Sequence, residues 1–288
     1  MVKNLLIISA LLASAHATVL FDGRLGANYT ASNLEASTGP YLSVVKGSAN
    51  ATQYTSVSYG TGTPLWGAVD RPILITIDNS SIFIPGGSTP QLGFRRTDLI
   101  AQPSAPGANR TAFNDEVLEA GNTTFHFSVQ ADLSNPLNLA HEYQVVWIEP
   151  NDGSHVFDLQ IGTPFNTTAT PESHHLKVRS KNGTVVFSTP FTPTVWHNFA
   201  VAVNWDALTL EAAYSTEDDK LRRVTAVESN VGAVSGPTGQ GDFHIAVLKL
   251  PLIDPKDTPS EQADVVHFGI QEGTKEGLSF SGVFVERV

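Results

Sequence analysis

The segment Phe199-Ala200-Val201-Ala202-Val203-Asn204-Trp205 places a large apolar residue at every second position. Successive side chains of a β-strand point to opposite faces, so a period of two predicts a strand with one buried face. Short runs rich in Val, Ile, Phe and Thr recur along the chain between Gly, Pro, Asn and Asp, and sustained helical periodicity is nearly absent. We therefore predict an all-β fold, a jelly-roll sandwich of two antiparallel sheets with a concave cleft.

Eleven segments carry this strand pattern most clearly, and turn-forming residues such as Lys181-Asn182-Gly183 separate them. They are 73–77, 91–100, 123–130, 143–149, 155–161, 174–178, 185–189, 196–205, 208–214, 243–250 and 278–286. No linker divides the chain and no internal repeat is visible, so we expect one domain over residues 18–288.

The first residues have the pattern of a cleavable secretory signal. Lys3 precedes an apolar run over residues 5–13, and Ala15-His16-Ala17 is a small-x-small cleavage site. We predict a signal peptide over residues 1–17, a mature chain that begins at Thr18, and a secreted, extracellular protein. No later stretch approaches the roughly 20 apolar residues of a membrane-spanning helix.

Asparagines in the Asn-x-Ser/Thr pattern agree with passage through a glycosylating pathway and should lie on the surface. The candidates are Asn28, Asn50, Asn79, Asn109, Asn122, Asn166 and Asn182.

The composition excludes several classes of function. With no cysteine, the chain has neither disulfides nor a thiolate nucleophile nor a Cys-type zinc site. A net charge of −11 argues against nucleic acid or an anionic membrane as partner. Zinc-binding histidine spacings and phosphate-binding loops are missing, and Thr18 as first mature residue excludes a copper site on an N-terminal histidine. We expect a monomer without cofactor or metal.

The segment Arg95-Arg96-Thr97-Asp98-Leu99-Ile100 is the first candidate for chemistry. Read as a strand, it places Arg96 and Asp98 on one face, among apolar neighbours. Buried charges are tolerated mainly as pairs, and such pairs often mark a cleft. The alternative interpretation is a solvated Arg/Asp ladder at a sheet edge.

The segment from His141 to Glu149 repeats this pattern, because strict alternation puts Glu142, Gln144, Val146 and Ile148 on one face. If both strands belong to one concave sheet, the carboxylates of Asp98 and Glu142 meet across a groove. Cleavage of a glycosidic bond needs such a pair: one group protonates the leaving oxygen, and the other attacks or activates water.

His244 is a polar residue on an otherwise apolar strand face, either as a hydrogen-bonded core histidine or as part of the cleft. Flat side chains suit sugar rings, and Trp66, Tyr143, Trp147, Trp196 and Trp205 are available for stacking. Burial statistics favour a core position for most of them.

In these segments the sequence resembles glycoside hydrolase family 131, which comprises secreted fungal β-glucanases with a jelly-roll fold. The matching motifs, in order, are Leu20-Phe-Asp-Gly-Arg24, Arg95-Arg-Thr-Asp-Leu-Ile100, Glu142-Tyr-Gln144, Val195-Trp-His-Asn198, His244-Ile-Ala-Val-Leu-Lys-Leu-Pro251 and Phe280-Ser-Gly-Val-Phe284.

The resemblance implies hydrolysis of β-1,3, β-1,6 or β-1,4 glucan by a carboxylate pair, without a cofactor. Glu142 matches the second glutamate of the family, and Asp98 stands where the family has the first. Tyr143 replaces a family histidine. Arg96, Tyr143, Gln144 and His244 are the implied substrate-binding residues.

Two alternatives from other classes remain at this point. Asp98 in the glutamate position agrees with a protein that binds β-glucan without cleaving it. Jelly rolls also carry polysaccharide lyases, although these need a uronic-acid substrate, which a negative net charge disfavours.

Overall fold

The protein is described here by a computed structural model, which covers residues 17–57, 64–67, 70–86, 88–102, 118–150, 152–233 and 241–287. Apart from Ala17, the predicted signal peptide lies outside the described residues, and so does Asn109. Within these ranges, no helix combines the length and the apolar character that a membrane crossing requires.

The described residues are organised mainly as strands. In chain order these are β1 (Thr18–Asp22), β2 (Tyr41–Leu42), β3 (Thr55–Val57), β4 (Ile73–Ile77), β5 (Arg95–Ala101), β6 (Asn122–Ala131), β7 (Glu142–Pro150), β8 (Phe157–Gly162), β9 (His175–Ser180), β10 (Val185–Pro190), β11 (His197–Asn204), β12 (Thr209–Thr216), β13 (Arg222–Arg223), β14 (Glu228–Ser229), β15 (Gly241–Lys249) and β16 (Glu276–Arg287). The helices are α1 (Ala31–Glu35), α2 (Ala51–Tyr54), α3 (Pro259–Ala263) and a 3-10 turn over Pro171–His174.

The strands form two antiparallel sheets, which confirms the predicted fold class. Sheet A has nine strands, with the order β13-β12-β11-β6-β16-β4-β3 and with β1 and β14 added at β16 and β12. Sheet B has seven strands, with the order β10-β9-β8-β7-β15-β5-β2. Every segment predicted as a strand overlaps one of these strands, because each is a short run of strand-forming residues between turn-forming ones.

The core lies between the two sheets. The ring of Phe125 on β6 of sheet A lies 5.6 Å from Phe157 and 5.1 Å from Phe243, both on strands of sheet B. On β11, Phe199, Val201 and Val203 are buried in the same cluster, as their alternation predicts. Full burial of such side chains stabilises a fold by about 1.5–3 kcal/mol each. This core fixes sheet B as a platform whose other face is available for a site.

Five short strands were not predicted: β1, β2, β3, β13 and β14. β2, β13 and β14 contain two residues each and β3 contains three, too few for an alternating pattern to be recognised, and β1 has a single buried residue. They form only through pairing with longer neighbours, for example β2 with β5.

The candidate glycosylation asparagines that the structure describes are all exposed, as expected for sugar acceptors: Asn28, Asn50, Asn79, Asn122, Asn166 and Asn182.

Candidate active site

A groove of about 530 Å³ runs along the outer face of sheet B. Residues of β5, β7, β8, β9 and β15 contribute to it, together with neighbouring loops. Its polar lining residues are Gln91, Arg96, Glu142, Gln144, Glu149, Ser154, His155, Asp158, Arg179, Ser180 and Lys181. The groove therefore brings several carboxylates and cationic side chains to one surface.

The first charged group of the groove, here called the Arg96 cluster, consists of Arg96, Asp98, His244 and Glu149. Arg96 and Asp98 lie two residues apart on β5, so both point to the groove face. The Arg96 guanidinium donates to both oxygens of Asp98, through Nε at 3.3 Å and through Nη2. His244, on the adjacent strand β15, places Nδ1 3.2 Å from Asp98 Oδ2. The buried-pair interpretation of Arg96 and Asp98 is thus the one that the geometry matches.

Asp98 is fully enclosed, with a side-chain exposure of 0%. Burial raises the pKa of a carboxyl, but the charge of Arg96 and the hydrogen bond from His244 outweigh it, and the pKa of Asp98 is lowered. Asp98 is therefore ionised at neutral pH. Because an ionised carboxylate only accepts hydrogen bonds, His244 Nδ1 must donate, which leaves Nε2 directed away from Asp98.

Strand β7 contributes Glu142, Gln144 and Glu149 to the groove, and its pairing is irregular. The register shifts between Gln144 and Val146 against β8, which marks a β-bulge. Val146 and Ile148 consequently belong to the core, and Trp147 and Glu149 face the groove. The strictly alternating face predicted for this strand is wrong beyond Gln144, since one extra residue reverses the alternation.

Trp147 forms the centre of a stack of flat rings under the groove. Its ring lies 4.8 Å from His244 and 5.3 Å from His155, with interplanar angles of 11° and 25°. The Trp147 side chain is fully buried, and its Nε1 donates to Glu149 Oε2 at 2.9 Å. Trp147 therefore supports Glu149 and both histidines and presents no free face for a sugar ring.

The second charged group, here called the Arg179 cluster, consists of Arg179, Glu142, Asp158 and His155. Arg179 Nη2 lies 3.0 Å from Glu142 Oε1 and 3.1 Å from Asp158 Oδ2, so one nitrogen contacts both carboxylates. Glu142 Oε2 accepts a hydrogen bond of 2.7 Å from the backbone N–H of Phe165. The Glu142 carboxylate is thus held at both oxygens.

Asp158 is also ionised at neutral pH. Its burial raises the pKa, but hydrogen bonds from His155 and Arg179 together with the arginine charge lower it below the ordinary value. His155 Nδ1 lies 3.3 Å from Asp158 Oδ2, and His155 stacks on Trp147. Through this stack the Arg179 cluster packs against the same tryptophan as the Arg96 cluster.

Gly162 allows the chain to approach Glu142 closely. It pairs with Glu142 and has a φ of +93°, and a Cβ at this position would lie 1.9 Å from the backbone oxygen of His141. Only glycine fits this position. Beyond it, the chain turns and presents the N–H of Phe165 to the carboxylate.

The predicted site residues fall into two sets. Arg96, Asp98, Glu142, Gln144 and His244 lie on the groove face of sheet B, and Arg96, Glu142 and Gln144 line the groove itself. The structure places the sixth, Tyr143, in the core instead: its side chain is 0% exposed and its hydroxyl donates to the buried Glu276. Tyr143 follows Glu142 directly, so the pleat turns it to the opposite face.

Four residues of the Arg96 and Arg179 clusters were missed from the sequence: Glu149, His155, Asp158 and Arg179. For Asp158 and Arg179 a signal exists, because each alternates with buried apolar residues on its strand. For Glu149 the signal is hidden by the bulge. Among the described residues, no cluster of three or more His, Cys, Asp or Glu is arranged to hold a metal ion.

Comparison with known proteins identifies a matching family and two similar structures. The family model described as glycoside hydrolase 131 catalytic N-terminal domain matches residues 19–288. A family 131 β-glucanase catalytic domain from Podospora anserina has a similar structure, with a TM-score of 0.71 and 24% identity over 94% of this chain and 96% of that chain. The catalytic domain of a family 131 protein from Coprinopsis cinerea gives a TM-score of 0.68 and 24% identity, over 94% of each chain. No curated protein matches the sequence.

Proposed function

The chain belongs to glycoside hydrolase family 131, and we propose that it is an extracellular enzyme that hydrolyses β-glucan with β-1,3/1,6 or β-1,4 linkages. The observation that carries this proposal is the joint presence of the Arg96 and Arg179 clusters along one groove. Both hold carboxylates against an arginine on the outer face of the same sheet. The similar β-glucanase from Podospora anserina indicates the substrate class.

The chemistry requires carboxylates on both sides of the scissile bond. In hydrolysis the glycosidic C–O bond breaks, the oxygen of water bonds to the anomeric carbon, the leaving oxygen gains a proton and a carboxylate takes the proton that water loses. We assign these proton transfers to the Glu142 carboxylate and to the Arg96 cluster, which contains Asp98. Arg96, His244 and Gln144 serve as supporting and substrate-binding residues, and the reaction needs no cofactor.

The proposal is tested by release of reducing ends from β-1,3/1,6 and β-1,4 glucans. Glu142→Gln and Asp98→Asn should each lower kcat by about 10²–10⁴-fold, the usual contribution of a positioned acid or base. Glu211→Gln is the matched control, because Glu211 is also paired with an arginine but lies on β12 of sheet A. It should keep wild-type activity. Unchanged turnover in both groove variants would refute the assignment.

The complete enclosure of Asp98 favours one alternative, a protein that binds glucan without cleaving it. This alternative predicts sedimentation with insoluble β-glucan without release of reducing ends. It also predicts that Asp98→Glu gains no activity. Hydrolysis by the wild-type protein would exclude it.

A further inference from the structure

Asp98 and Glu149, the carboxylates of the Arg96 cluster, differ sharply in their access to the groove. Asp98 has a side-chain exposure of 0% and does not line the groove, whereas Glu149 is 30% exposed and lines it. Both oxygens of Asp98 are engaged by Arg96, and Oδ2 is also engaged by His244. A sugar could reach Asp98 only if those side chains moved away.

Glu149 lies on the accessible side of the same two residues, Arg96 and His244. Its Oε2 lies 3.8 Å from Arg96 Nη2 and 3.9 Å from His244 Nε2. The same oxygen accepts the hydrogen bond from Trp147 Nε1. Within the part of the chain that the structure describes, Oε1 accepts no hydrogen bond from a protein group. The side chain is therefore fixed at one oxygen and open at the other.

His244 connects the two carboxylates. Its Nδ1 donates to ionised Asp98, so the buried carboxylate fixes the ring orientation and directs Nε2 toward Glu149. The stack on Trp147 holds the same ring from one side. Asp98 thus controls the surroundings of Glu149 without reaching the groove.

From this geometry we propose that Glu149 is the catalytic carboxylate of the Arg96 cluster, the one that contacts the glucan, and that Asp98 is a positioning residue that acts through Arg96 and His244. The inference rests on the proposed function. It assigns the proton exchange at this end of the groove to Glu149, while the bonds made and broken in hydrolysis stay as described above.

Chemical rescue tests the assignment. Glu149→Ala should lower kcat by about 10²–10⁴-fold, and sodium formate should restore part of it, because the space left by an exposed side chain is open to a small carboxylate. Glu211→Ala is the matched control. Its kcat should equal that of the wild type, both with and without formate. Thermal unfolding at a temperature close to that of the wild type would establish that Glu149→Ala is folded.

Asp98→Asn provides the second arm. It removes the charge beside His244 with little change in volume, so we expect a loss of kcat that formate does not restore and a displaced limb in the pH profile of kcat/KM. A residue with only a structural role would lower activity without displacing that limb.

The outcomes separate the two proposals. An active wild type together with a Glu149→Ala variant that keeps kcat within about threefold would overturn the assignment of Glu149 alone. If Glu149→Ala lowers kcat and formate restores none of it, that result would also count against direct contact of Glu149 with the substrate. A folded wild type that releases no reducing ends from any β-glucan would overturn the proposed function, and this assignment with it.

Discussion

Strands β7 and β15 carry polar groups on both faces, and the two faces are built differently. On the core side, Lys249 Nζ lies 2.8 Å from Glu276 and 2.6 Å from Glu272, and both Lys249 and Glu276 are 1% exposed. His141 Nε2 contacts Glu272 at 2.8 Å, and the hydroxyl of Tyr143 bonds to Glu276. We call these five residues the core-side network. On the groove side, the Arg96 cluster leaves Glu149 partly exposed.

The two faces differ in how completely their charged groups are enclosed. In the core-side network each buried charge has an opposite charge within hydrogen-bonding distance, as burial demands. In the Arg96 cluster, buried Asp98 is paired in the same way, but a second carboxylate, Glu149, remains accessible. Substitutions on the core side should therefore change stability without changing catalysis, and substitutions of accessible groove residues such as Glu149 should do the reverse.

The largest effect on stability is expected for Lys249→Met. The change leaves the buried Glu276 carboxylate without its cation, which costs about 3–5 kcal/mol in comparable buried pairs. Urea unfolding should show this loss, and kcat of the folded enzyme should stay at the wild-type value. Lys249→Met combined with Glu276→Gln should recover much of the stability, because the orphaned charge is then absent. A single variant within about 1 kcal/mol of the wild type would contradict the prediction.

A smaller effect should separate two neighbours on β7. Tyr143→Phe removes the hydroxyl that donates to buried Glu276 and should cost about 1–3 kcal/mol, with KM unchanged. Gln144→Ala, one residue on, lines the groove and should raise KM with stability within about 0.5 kcal/mol of the wild type. Urea unfolding and steady-state kinetics on both variants check this. A raised KM in Tyr143→Phe would contradict this prediction and would support the substrate-binding role of Tyr143 that the family resemblance implies.

Much of this architecture could be predicted from the sequence because alternation is a local signal. The paired charges on β5 follow from the two-residue spacing of Arg96 and Asp98, and the position of Glu142 on a groove-facing strand follows in the same way. Asp158 and Arg179 alternate equally well, and attention to polar residues between apolar ones would have identified them.

The remainder depended on long-range structure. No residue type near Gln144 predicts the bulge that follows it. The bulge nevertheless moves Trp147 and Glu149 to the groove face. The burial of Asp98 depends on Arg96 and on His244, which lies 146 residues away in sequence. No local pattern could show that Asp98 is enclosed and that Glu149 is accessible.

The smallest effect concerns the acid stability of the core-side network. Burial raises the pKa of Glu272, but hydrogen bonds from Lys249 and His141 and their charges lower it from 4.5 to about 2. A carboxyl with a lowered folded-state pKa stabilises the fold above its unfolded pKa, and this contribution is lost as the pH falls toward about 2. Unfolding free energies measured from pH 5 downward should therefore decline less steeply in Glu272→Gln than in the wild type. Because the Glu272 side chain is 36% exposed, solvent screening keeps the difference small. Identical slopes would mean that Glu272 gains nothing from its partners, and the core-side network would then consist of Lys249, Glu276 and Tyr143 alone.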